Sequence, residues 1–159
     1  MKFLVSKDIH SNPNFSLLLS FYAVMMLFYF IGDLFYFANF FGSTVDEVLF
    51  TLKGNPDEFI EPLSLLSLLE YFHISLFLAI LAMFTTMAII LRIRLSRIHK
   101  RAIITLSMLS LLLSFLSLAG TYFFSDFLAY SFAFFTVIWH MMGLYALSII
   151  LFKLGTKQA

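Results

Sequence analysis

The chain contains no cysteine. That excludes disulfides, thiolate metal sites, covalent c-type haem attachment and iron–sulfur ligation by cysteine. Charge is scarce too: charged residues make up 12% of the chain, about half of the roughly 25% usual in globular proteins. With three prolines and six glycines in 159 residues, few positions break the backbone pattern. Neither a phosphate-binding glycine loop nor a nucleophile elbow occurs. The run from Phe15 to Phe41 exceeds a signal-peptide core of about 7–15 residues, and no small-x-small cleavage site closes it. It reads as an uncleaved first span.

What the chain has instead is apolar surface. Hydrophobic residues account for 62%, Phe alone occurs 22 times, and mean hydropathy is +0.98. Too little polar surface remains to coat a water-soluble core, so lipid is the solvent for most of the chain. About 20 apolar residues in a helix cross roughly 30 Å of hydrocarbon. Four segments qualify, at about 15–41, 63–91, 102–124 and 127–152. Lipid offers no partner to a free backbone group, so each must be a helix or a barrel strand, and runs this long without alternation are not strands. The expectation is an all-α membrane protein: a single domain over 1–159, with four transmembrane helices in an antiparallel up-down bundle.

Basic residues give the orientation. Lys2, Lys7, Arg92, Arg94, Arg97, Lys100, Arg101, Lys153 and Lys157 fall at the termini or the second connection, and only Lys53 falls on the other side. The first connection carries Asp46, Glu47, Asp57, Glu58 and Glu61. This is a positive-inside pattern for a multi-pass protein of the inner (plasma) membrane with both termini cytoplasmic. The Arg92–Arg101 stretch then faces anionic lipid, and no nucleic-acid role is expected of it.

The first connection also has structure of its own. Thr44 and Glu47 match a capping box, and Val45, Val48, Leu49 and Leu52 have helical spacing with Gly54 as a stop. A short amphipathic helix is expected there, either on the outer membrane surface or as a lid on the bundle mouth. The third connection is very short, which makes the third and fourth spans a tight hairpin.

Small residues let helix backbones approach in lipid. The third span carries a stripe of Ser107, Ser110, Ser114, Ser117 and Thr121, and the second one of Ser75, Ala79, Ala82 and Thr86. Both read as packing seams. On the fourth span Asp126, Ala129, Ala133, Thr136, His140, Gly143 and Leu147 share a face; on the first, Tyr22, Met26, Tyr29, Asp33, Tyr36 and Phe40 do. Glu70 and His73 are neighbours on a second-span face roughly 150° from the Ser75–Thr86 seam. Only one of those two faces fits inside a small bundle, and the seam is the cheaper one to expose.

Intramembrane ionisable groups are costly, and therefore candidates for function. His73 and His140 lie near mid-membrane on different spans, with Gly143 one turn from His140. In helix count and in these two histidines the chain is similar to four-helix membrane cytochromes b. The likeness implies a b-type haem bound by His73 and His140 beside Gly143, in an electron-transfer protein. A second reading takes Asp33, Glu70 and Asp126 with the two histidines as a divalent-metal or proton site, since Glu-x-x-His on a helix aims two ligands one way. In a third, the protein is an accessory or assembly subunit of a membrane complex. Beyond the bilayer, the expected partners are a second copy or a partner membrane subunit. His10 and His99 are assigned no role.

Overall fold

A backbone in hydrocarbon must close its own hydrogen bonds. The computed structural model, which describes residues 13–155, does this with four long helices and one short one. Helix α1 spans Pro13–Phe41, α2 Val45–Lys53, α3 Leu65–Arg92, α4 Arg97–Phe123 and α5 Leu128–Gly155. The four long helices are each long and apolar enough to cross a membrane. At 1.5 Å per residue the 28 residues of α3 run about 42 Å, more than the hydrocarbon thickness. Lys2, Lys7, His10 and Lys157 lie outside the described residues.

Serine begins two of the long helices. Ser64 accepts the Ser67 N–H at 3.1 Å and Ser96 the His99 N–H at 3.3 Å, supplying an acceptor to an otherwise orphaned first-turn donor. The Ser96 cap starts α4 at Arg97, so the basic residues 97–101 are helical rather than a loop. Lys100 Nζ donates to the Leu91 carbonyl at 2.7 Å, tying the start of α4 to the last turn of α3.

The capping box at α2 is present in both directions. Thr44 Oγ1 accepts the Glu47 N–H, and Glu47 Oε2 accepts from Ser43 and Thr44. Val48 and Leu52 are buried against Phe41, Leu68, Leu118, Ala129 and Phe132. The short helix is thus a lid seated on one mouth of the bundle. Lys53 Nζ, 2.5 Å from Asp126 Oδ1, fastens its end to the α4–α5 turn.

Helix α5 packs against the three other long helices and the lid. The stripe on α4 is buried and behaves as a seam: Ser107, Ser110 and Thr121 donate to carbonyls of their own helix, at 2.7, 2.7 and 2.8 Å. Only Ser114 reaches across, to Thr136 Oγ1 at 2.6 Å.

One expectation is reversed. On α3 the small-residue seam of Ser75, Ala79, Ala82 and Thr86 is buried, while Glu70, His73, Phe77 and Phe84 are exposed. The reason is packing. Small residues let α3 approach α4 and α5 closely, whereas a face of Phe, Ile and His would hold the helices apart.

Candidate functional site: a buried carboxylate–imidazole pair

His140 is the largest buried polar side chain, at 1% exposure. Its position follows from the α5 face, where Thr136, His140, Gly143 and Leu147 all point inward. Nδ1 lies 2.7 Å from the Thr136 carbonyl oxygen one turn earlier, and Nε2 lies 2.9 Å from Asp33 Oδ2 on α1. The tyrosine-flanked face of α1 thus meets the small-residue face of α5 at these two residues.

A carbonyl oxygen only accepts, so Nδ1 carries a hydrogen. The Nε2–Oδ2 contact then has two forms. Either Nε2–H donates to an ionised carboxylate, or a protonated carboxyl donates to the Nε2 lone pair. Both forms are neutral overall. The pair can move a proton across 2.9 Å without placing net charge in the low-dielectric interior.

The walls hold the pair in register. Trp139 lies against the imidazole with ring centroids 3.7 Å apart, and Phe30 meets it edge-on at 6.2 Å. Beside the pair, Tyr71, Ser75, Ser114 and Thr136 bound a cavity with about 10 Å³ for a water molecule's centre, close to the minimum for one water. Tyr29, one turn from Asp33, buries its hydroxyl oxygen with no hydrogen-bond partner among the described residues.

The remaining sequence candidates lie elsewhere. His73 and Glu70 are on the exposed face of α3, and Asp126 is at the α4–α5 turn, bonded to Lys53. Among the described residues no three His, Asp or Glu side chains converge as a metal-ligand group. His73 and His140 do not form a ligand pair across the bundle, because one faces out and the other is bonded at both nitrogens. The space expected beside Gly143 is also taken. A Cβ there would stand 2.3 Å from Phe30 Cε1, so the aromatic ring lies where a porphyrin edge was expected. This donor set does not fit a bis-histidine haem.

The carboxylate–histidine reading groups Asp33 and His140 with Glu70, His73 and Asp126; of these five the structure joins only Asp33 and His140. Sequence reasoning missed Phe30, Trp139 and Tyr71. The signal for Trp139 was its position beside His140 as the chain's single tryptophan; nothing in the spacing marked Phe30.

Four apolar spanning helices around one buried ionisable pair define a multi-pass integral membrane protein of the helical-bundle class. Residues 42–159 match the family model Aq_1264_TM, a transmembrane helical domain, and the chain belongs to that family. The match includes His140 but not α1, so Asp33 lies outside it. No curated protein and no solved structure matches the chain.

Proposed function

We propose that the protein is a proton-binding membrane component whose working centre is the Asp33–His140 pair. One observation carries this reading: a buried imidazole is bonded at Nδ1 by a carbonyl and faces a carboxylate through Nε2 at 2.9 Å. Such a pair holds one shared proton as a neutral unit and becomes charged only when it gains or loses one. Ser114 and Thr136 link α4 to the α5 turn that carries His140, so a change at the pair would bear on three helices.

The test is infrared difference spectroscopy on the protein in lipid, stepped from about pH 8 to about pH 5. A protonated-carboxyl band should change in wild type, vanish in Asp33→Asn and move in His140→Gln. A wild-type difference spectrum lacking any band that Asp33→Asn removes would end the proposal.

Both termini are read as cytoplasmic, in the plasma membrane. Support comes from Arg92, Arg94, Arg97, Lys100, Arg101 and Lys153 at one end of the bundle, opposite the acidic residues of the first connection. A topology reporter inserted at Asn55 should report from outside the cytoplasm; activity on the cytoplasmic side would invert the assignment.

A further inference from the structure

The cavity beside the buried pair is lined by side chains that do not use up their own hydrogen bonds. All four long helices contribute to it: Asp33 from α1, Tyr71 and Ser75 from α3, Ser114 from α4, and Thr136 and His140 from α5. Two hydroxyls on that wall, Ser114 Oγ and Thr136 Oγ1, lie 2.6 Å apart. They carry two hydrogens between them and use one in that bond, whichever of them donates. The hydroxyl that accepts still has its own hydrogen to place. Unlike Ser107, Ser110 and Thr121, neither donates to a carbonyl of its own helix among the described residues. Both side chains are buried, at 2% and 3% exposure, so the surroundings of the bundle offer no acceptor.

Across the cavity the shortfall has the opposite sign. An ionised carboxylate accepts on both oxygens. Asp33 Oδ2 faces His140 Nε2 at 2.9 Å, and no described residue donates to Oδ1. A hydrogen short of an acceptor and an oxygen short of a donor thus belong to side chains lining one cavity of about 10 Å³. That is about the smallest space that holds a water molecule, and water occupies such a space where about two to four polar groups meet it. An apolar void of this size stays dry, whereas this wall also presents the hydroxyls of Tyr71 and Ser75.

We propose that this cavity binds one water molecule, which accepts the spare hydrogen of the Ser114–Thr136 couple and donates to Asp33 Oδ1. The water ties α4 to α1, and the Tyr71 and Ser75 hydroxyls bring α3 to the same point. The titratable groups on the wall are Asp33, His140 and Tyr71. What the water does to the pair rests on the proton-binding reading above. A hydrogen bond donated to the carboxylate favours its ionised form. The water therefore holds the shared proton on His140 Nε2 rather than on Asp33.

Solid-state NMR of the full chain in lipid, at a single pH, tests the site apart from any titration. A long-lived water should give cross-peaks at the water frequency to the Ser114 and Thr136 side chains. Ser107 and Ser110, equally buried but bonded to their own helix, should give none. Ser75→Val puts methyl groups where a hydroxyl lines the cavity. It should abolish the cross-peaks and shift His140 Nε2 from the protonated towards the unprotonated nitrogen frequency. Wild-type protein without the cross-peaks overturns the proposal, and that result needs no variant to fold. Equal cross-peaks at Ser107 overturn it too, since water would then run along the whole stripe. So does a Ser75→Val protein that loses the water and keeps its Nε2 frequency. Cross-peaks in a protein whose infrared step shows no Asp33 band would uphold the water site and remove the proton-binding reading alone.

Discussion

The molecule holds two carboxylate–imidazole couples, and they are opposites. Asp33 and His140 come from helices far apart in sequence and meet in the interior, with every imidazole nitrogen bonded. Glu70 and His73 are one turn apart on a single helix and face outward with nothing bonded to them. Residue type does not separate the two. The surrounding helix face does. His140 shares its face with Thr136 and Gly143, which admit α1 and α4. His73 shares its face with Phe77 and Phe84, which keep other helices of the same chain at a distance.

The largest way to break this contrast is to remove one imidazole at a time. His140→Leu strands the Asp33 carboxylate in the interior and should cost about 3–5 kcal/mol, the usual penalty for breaking a buried pair from one side. His73→Leu should leave the stability of the isolated bundle within about 0.5 kcal/mol, as for an exposed substitution away from any partner. Reversible unfolding in mixed micelles compares them directly. Similar losses from both would mean that the two couples are equivalent after all.

A smaller effect sharpens the comparison through neighbours one turn away. Gly143→Ala drives a methyl group into Phe30 and should cost about 1–3 kcal/mol as overpacking, while loosening the α1–α5 approach that lets Asp33 reach His140. Phe77→Leu, one turn from His73, has no such neighbour within the chain and should be nearly silent in the same assay. If Gly143→Ala is silent as well, close approach at Phe30 does not set the pair's geometry.

Much of this architecture was legible beforehand. Helix number, the antiparallel order and the Thr44–Glu47 capping box follow from hydropathy and local spacing, which act within one segment. The inward face of α5 was also readable; on α1 the tyrosine-flanked stripe only borders the contact, with Tyr36 exposed, and the buried face is Leu19, Ala23, Phe30 and Phe41, which the spacing did not single out. Nor was the inward face of α3 readable, because that helix carries two plausible stripes. Choosing between them depends on how closely α4 and α5 can approach, a property of three helices together. Exposing the seam looked cheaper because transfer to lipid was weighed without the packing that exposure would forfeit. The Asp33–His140 contact was hidden for a related reason. Spacing gives a residue's face but not which opposing face it meets, and Phe30 lying over Gly143 decides that register.

The lid has a consequence for traffic to the interior. With Val48 and Leu52 pressed onto Phe41, Leu118 and Phe132, and Lys53 latched to Asp126, this mouth of the bundle is roofed by apolar side chains. At the opposite end of the serine stripe, Ser107 and Ser110 turn their hydroxyls back onto their own helix, and Ser114 is taken up by Thr136. What remains is the flank, where the Asp33 side chain keeps 20% of its surface open. A proton reaching the pair under the proposed function would therefore come from the side, through the plane of the bilayer. Exchange at the pair should then depend on how often water or an acidic headgroup reaches Asp33 beside α1, and stiffening the surrounding lipid should slow it without touching a single residue of the pair.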